Sequence, residues 1–161
     1  WIFRGTPLIL QLIFFYYGLP LMTNNFIAFP AFTSAAITFI LNYSAYLMEI
    51  FRAGIESIEK GQFEAAYVLN LKHRQIMTRI ILPQAVRRVL PPLSNEAINL
   101  VKDTALVIVL GIGDLMLHAR EILTRDFKLL PFVIAGIIYL AFTSVLVLIF
   151  RRLEKKYVIR N

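Results

Sequence analysis

Long apolar runs, broken by one polar and basic insert, set the order of elements along this chain. Residues 131–150 form an unbroken apolar run whose most polar members are Tyr139, Thr143 and Ser144. That satisfies the roughly 20 apolar residues, within a range of about 17–25, that a membrane-crossing helix needs. Residues 30–48 nearly satisfy it, and residues 8–22 form a shorter run. Thr6-Pro7 is a good helix start, since a threonine caps free amides and proline suits the first helical position. This helix is expected to weaken at Gly18-Leu19-Pro20, and residues 22–29, with Thr23-Asn24-Asn25, read as an external connection. From Arg52 to Pro91 charges become frequent while apolar residues keep helical spacing, as in Phe63, Tyr67 and Leu71 or Ile76, Ile80 and Ala85. Such a stretch is too polar to cross lipid and too well patterned to be disordered. It predicts two short amphipathic helices, 62–69 and 74–82, with Asn70 between them and Pro83 ending the second. Pro91-Pro92 opens a further segment reaching about residue 115, and a polar stretch, 118–128, precedes the last apolar run.

The reading is therefore an all-α integral membrane protein with segments at about 6–22, 30–51, 91–115 and 131–150. The insert spans about 56–90. Composition agrees: 58% of the 161 residues are hydrophobic, and the mean hydropathy is +0.69, well above an ordinary soluble domain. The net charge of +7 does not point to nucleic acid. Its cations cluster at Lys60, Lys72, Arg74, Arg79, Arg87 and Arg88, and again at Arg151, Arg152, Lys155, Lys156 and Arg160. Both clusters abut apolar segments, where excess Lys and Arg mark the cytoplasmic side. With insert and tail both inside, the second segment runs inward, the third outward and the last inward, so the charges are self-consistent. There are no cysteines, and the start carries no signal-peptide pattern. The chain reads as lacking its first membrane segment.

Two polar faces lie at membrane depth. Asn95, Glu96, Asn99, Lys102 and Asp103 fall within an arc of about 120° on a helix. Facing lipid, Lys102 or Asp103 would each cost at least about 2.5–3.5 kcal/mol. The arc must meet protein or a wet cavity, as a buried ionic staple or as a substrate-facing wall. On the second segment Ser34, Thr38, Asn42 and Tyr46 recur every four residues, with Glu49 three further on. Hydroxyls alone serve as helix–helix glue, and Glu49 with Arg52 at i+3 forms either a partly solvated pair or part of a pathway. Both signs of charge together with amides and hydroxyls suit a zwitterionic solute better than a one-sign ion filter.

Catalytic chemistry finds no footing. His73 and His118 have no carboxylate or cysteine at ligand spacing, so no metal site is expected. Ser44, Ser57 and Ser94 have no nearby histidine to activate them. Gly111-Ile112-Gly113 lacks the rest of a dinucleotide fingerprint, and no phosphate-binding loop of the Walker type occurs. An intramembrane enzyme is therefore disfavoured, and any ATP must be bound by another chain.

The insert also carries Glu64-Ala65-Ala66, then Asn70, then Ile80-Ile81-Leu82-Pro83. This resembles the EAA loop of ABC-importer permeases, most closely the polar amino-acid group (the histidine, glutamine, glutamate and arginine type). Motifs in matching order are 49–55, 60–66, 79–85, Pro91-Pro92-Leu93, Lys102-Asp103-Thr104 and Gly111-Ile112, with 4–8, Gln11-Leu12 and 18–20 extending the match to the start. The pattern departs at Asn70, where the family has glycine; asparagine also tolerates the left-handed conformation that ends a helix.

The resemblance implies a type I ABC-importer permease domain with four of about five helices present. ATPase coupling would fall to Gly61, Gln62, Phe63, Glu64, Ala65, Ala66, Asn70, Ile80, Leu82 and Pro83, with Phe63 and Ala66 inserting into the ATPase. Asn42, Tyr46, Glu49, Asn95, Glu96, Asn99, Lys102 and Asp103 are the candidates for the substrate pathway. Implied partners are ABC ATPase subunits holding ATP and Mg, a second permease copy or homologue, an extracytoplasmic solute-binding protein and a polar amino acid. The chain itself would bind no cofactor and would sit in the cell inner membrane as a multi-pass subunit with a cytoplasmic C-terminus. The competing reading is an ion-gradient-driven transporter using Glu96, Lys102 and Asp103 as a proton relay.

Overall fold

The computed structural model describes residues 1–157. Among them every regular element is helical: α1 (Ile2–Gly5), α2 (Leu8–Ile13), α3 (Leu19–Met22), α4 (Ala31–Glu56), α5 (Lys60–Val68), α6 (His73–Ile76), α7 (Leu82–Asp103), α8 (Leu115–Asp126) and α9 (Leu130–Tyr157). A wide π turn, Phe14–Gly18, joins α2 to α3. A second, Met77–Ile81, joins α6 to α7, and a 3-10 stretch, Thr104–Leu110, follows α7. By length and composition α4 and α9 are each able to cross a bilayer, and Leu8–Met22 forms a shorter apolar helix. Only 6% of the apolar window of α9 is buried, so its outer surface is a lipid-type face rather than a core face.

Prolines end neither helical run, contrary to the sequence expectation for Pro83 and in part for Pro20. In each case the preceding turn widens: Leu19 N–H donates to Phe14 O and Leu82 N–H to Met77 O, five residues back. Pro20 and Pro83 follow one residue later. A proline ring clashes with the carbonyl four residues back in a regular α-helix, and a π turn moves that carbonyl out of register. Residues 73–103 are consequently helical throughout. Pro91 and Pro92, expected to open the third segment, lie inside α7.

The chain divides into two compact units, one of Trp1–Tyr46 with Ile98–Val145 and the other of Leu47–Ala97 with Leu146–Asn161. In the first, Leu12, Ala35 and Leu110 are buried together, and Leu8, Phe39, Leu106 and Val109 pack against them. Helix α2, the start of α4 and the 3-10 stretch thereby share one core. In the second, Ile58, Ala66, Ile76, Ile81 and Ala85 form the core, with Ile55, Phe63, Leu71, Met77 and Ile80 around it. Ile76 and Ile81 are fully buried, which seats the second π turn against the body of its unit.

Candidate functional site

Helix α5 lies on the second unit by one edge. Ala66 is 2% exposed and Phe63 packs on the same cluster; their i, i+3 spacing puts both on one face. Nothing lies within 4 Å of a Cβ placed on Gly61, and Gln62, Glu64, Ala65, Tyr67, Val68 and Leu69 are exposed. Val68 and Leu69 stand 86% and 72% open. The expectation that Phe63 and Ala66 insert into a partner is thus reversed: they hold the helix down. The apolar surface offered outward comes from Val68, Leu69 and Tyr67 beside the small residues Gly61 and Ala65.

The end of α5 is closed by a two-bond cap. Asn70 N–H donates to Tyr67 O at 2.9 Å and Leu71 N–H to Ala66 O at 3.2 Å. Asn70 adopts φ 54, the left-handed conformation expected from its sequence position. These two bonds with a left-handed residue form the Schellman arrangement, and Leu71 completes it by packing on the cluster that contains Ala66. A non-glycine residue here carries some backbone strain. Asn70→Gly is therefore expected to raise the protein's stability by about 0.5–1 kcal/mol. The midpoint of thermal unfolding in detergent would rise by a few degrees; an unchanged or lower midpoint would contradict the strain.

Beyond the cap, Gln75 Oε1 accepts from Lys72 N–H at 2.9 Å and starts α6. Ile80 turns inward onto the core, whereas Leu82 and Pro83 lie on the open side of α7. The end of α4 is held against α7 by a close approach. A Cβ on Gly54 would overlap Val89 Cγ2, so only glycine fits this contact. Ser57 Oγ donates to Gly54 O at 2.7 Å, and Arg88 donates to Ser57 O.

The polar faces divide into residues already engaged and residues still open. Asn42, 4% exposed, donates through its amide to Phe3 O at 3.0 Å and to Gln11 Oε1 at 3.1 Å. Gln11 in turn donates to Phe3 O and to Thr6. Asn42 is therefore a clamp on the first helical turns, and Ser34 and Thr38 are buried beside it along α4. Asn42→Leu leaves the Gln11 side-chain carbonyl without its Asn42 donor, while Phe3 O keeps the bond from Gln11, a loss expected to cost about 1–3 kcal/mol. A wild-type melting temperature in that variant would sink the clamp.

Tyr43 hydroxyl donates to Asp103 Oδ2 at 2.7 Å. Arg4 sits over the Tyr46 ring, 5.9 Å from its centre. Arg52 pairs with Glu56 at 2.9 Å. Glu49 lines a pocket of about 360 Å³ within the second unit, together with Gly54, Ser57 and Arg88. On α7, Asn95 and Lys102 are exposed, and Glu96, Asn99 and Asp103 are half-buried.

Sequence reasoning did not single out Gln11, Tyr43 or Gly54 as site residues. A lone amide inside an apolar run was the available signal for Gln11; Gly54 was marked only by its place in the 49–55 motif, because its requirement comes from Val89, 35 positions away.

In the first unit Asp114 accepts from Leu117 N–H at 2.8 Å and caps α8. On the same helix Arg125 donates to Asp126. That hydrogen bond holds the exposed Asp126 carboxyl below its ordinary value.

The described residues thus carry a basic insert with a seated surface helix and two helices of membrane-crossing length. The chain belongs to the family of binding-protein-dependent transport system inner membrane components, whose family model matches residues 1–159. It is 40% identical over 159 residues to a putative glutamine transport system permease protein of Rickettsia bellii (strain RML369-C), covering 98% of this chain and 72% of that protein. It is 41% identical over 156 residues to the arginine transport system permease protein ArtQ of Bacillus subtilis (strain 168), covering 96% and 70%. The glutamine transport system permease protein GlnP of Escherichia coli (strain K12) is also 41% identical over 156 residues, covering 96% and 71%. Among solved structures, a crystal structure of an amino acid ABC transporter with histidines superposes with a TM-score of 0.87 at 36% identity, covering 96% of this chain and 72% of that one. The chain is accordingly a permease component of an ABC importer with the type I fold, and the gradient-driven alternative finds no support.

Proposed function

We propose that this subunit forms part of the translocation path for a polar amino acid and receives motion from ATPase subunits through α5. The observation that carries the reading is the outward face of α5. A nine-residue helix seated by Ala66 and Phe63 leaves Val68, Leu69 and Glu64 exposed on a basic insert. An exposed apolar patch rimmed by charge is the kind of surface that a protein partner covers. Glutamine and arginine in the names of the relatives support a polar amino acid as cargo.

In this reading two permeases, identical or homologous, stand over two ATPases that bind ATP and Mg, and an extracytoplasmic binding protein delivers the solute. The subunit itself performs no hydrolysis. It lies in the inner membrane as a multi-pass protein with its C-terminal end on the cytoplasmic side. ATP-driven closure of the ATPase pair displaces α5, and the cap at Asn70 passes the displacement to the π turn and α7. Coupling requires two arrangements with different contacts at each site, and the open face of α5 supplies one such contact. The candidates for contact with the solute are Asn95, Glu96, Asn99 and Lys102 on α7, and Tyr46 and Glu49 on α4. Asn42 and the Tyr43–Asp103 pair hold helices in place.

The deciding experiment is uptake into vesicles holding the permease, its ATPase and its binding protein, with a panel of labelled amino acids. ATP-dependent accumulation of a polar amino acid is expected. Accumulation driven by an imposed ion gradient without nucleotide would overturn the reading.

A further inference from the structure

The pocket that Glu49 lines, about 360 Å³ in volume, falls within the range of about 300–1,000 Å³ typical of ligand sites. It lies between the end of α4 and α7, and all its walls belong to the second unit. Glu49, Ala53 and Ser57 line it at intervals of four residues and so follow one ridge of the helix. Ser57 N–H donates to Ala53 O at 2.9 Å, which carries the helical turn one residue past α4. At about 1.5 Å per residue, Glu49 and Ser57 stand about 12 Å apart along the axis.

The two charges of the pocket occupy opposite ends. Arg88 lines it from α7, and its Nη1 donates to Ser57 O, which fixes the guanidinium at the Ser57 end. Glu49 stands two turns back along α4. The lining between them is apolar, from Ile50, Ala53, Gly54 and Pro92. Both charged groups have capacity to spare. A guanidinium carries five N–H donors in a planar fork, so the Ser57 bond leaves its Nε–Nη2 edge for a carboxylate. A carboxylate offers about four acceptor positions, so a ligand's cation adds to the interaction Glu49 already makes within the chain. Arg88 is exposed and Glu49 half-buried, so the pocket opens to solution at its Arg88 end.

We propose that this pocket is a site for a free basic amino acid at the cytoplasmic end of the transport route, with the α-carboxylate on Arg88 and the side-chain cation on Glu49. The proposal rests on the topology of the proposed function, with the insert inside. Arginine and lysine carry those two charges at opposite ends of a methylene stem, and such stems lie along apolar surface while their heads stay with polar partners. The open edge of Arg88 matches a carboxylate in two parallel hydrogen bonds. Glutamine would bring a neutral amide to Glu49, and glutamate a second negative charge. The pocket therefore sorts polar amino acids by the far end of the side chain.

The test is equilibrium binding of labelled arginine to the permease purified with its ATPase in detergent, without nucleotide or binding protein. Two competitors each remove one charge: citrulline has a neutral side chain of nearly the same shape, and agmatine lacks the α-carboxylate. Wild type should prefer arginine to each by about tenfold or more, as hydrogen bonds between charged groups allow. Glu49→Gln should erase the preference over citrulline and keep that over agmatine, and Arg88→Gln should do the reverse. A purely structural role for either residue does not produce that crossed pattern. Ala53→Leu, which fills the middle of the pocket, should weaken arginine binding about tenfold or more at an unchanged unfolding midpoint. No preference for arginine in wild type would overturn the proposal without recourse to any variant. Equal loss of all three ligands in both charge variants would reduce the pair to helix packing and overturn it too. So would full binding in Ala53→Leu, which would put the arginine elsewhere. ATP-driven uptake by wild type in vesicles tests the transport reading separately: uptake without this binding sinks the site alone, and binding without uptake sinks the transport reading.

Discussion

Val68→Asp and Glu64→Lys are each expected to reduce ATP-driven uptake to background while the subunit still reaches the membrane in normal amount. Val68 is 86% exposed, so aspartate there changes the isolated subunit by no more than about 0.5 kcal/mol. Once a partner covers the α5 face, the new carboxylate is buried without a counter-charge, which costs about 3–5 kcal/mol. That is a loss of more than about a hundredfold in docking. Glu64 lies one turn before Val68 on the same side of the helix, and lysine reverses its charge within an already basic insert. Copurification of the ATPase should fall with uptake in both variants. Ala66→Leu behaves differently, because a 2% exposed alanine leaves no room and overpacking costs about 1–3 kcal/mol of stability. Near-normal uptake in Val68→Asp would remove α5 as the docking element.

The position of α5 is legible in the sequence because it depends on local signals. The periodicity predicts a helix over 62–69 and Lys60–Val68 are helical, with Asn70 marking the end in both. What the sequence does not convey is which face of the helix meets its own protein. Phe63, Ala66 and Tyr67 all satisfy an apolar period, and only contact with Ile76 and Ile81 decides that the first two turn inward. Asn42 misleads for the same reason. Its spacing with Ser34, Thr38 and Tyr46 describes a polar stripe, but the amide's partners, Gln11 and Phe3, lie 31 and 39 positions away. Pro83, Pro91 and Pro92 depart from the rule that holds for soluble helices. Here a π turn absorbs the first, and α7 carries the other two in its interior, as membrane helices tolerate.

Gly54→Leu is expected to abolish accumulation of a stable subunit. Even Gly54→Ala should lower the unfolding midpoint measurably, because its Cβ would overlap Val89 Cγ2, with Ala85 O at 3.6 Å. No rotation of an alanine relieves that contact, and Val89 is itself 3% exposed, so one backbone must retreat at a cost of about 1–3 kcal/mol. The retreat would also strain the Ser57–Gly54 and Arg88–Ser57 hydrogen bonds at the end of α4. Removing the opposing methyl supplies the check. Val89→Ala alone opens a cavity and destabilises, yet the pair Gly54→Ala/Val89→Ala fills the space that Val89 vacates. The double variant should therefore be more stable than the sum of the single changes by about 1–3 kcal/mol, a coupling that contacting residues show and distant ones do not. Strict additivity in that cycle, measured by thermal unfolding in detergent, would mean the two helices are not in contact at Gly54. The two ends of the insert would then be held together by hydrogen bonds alone.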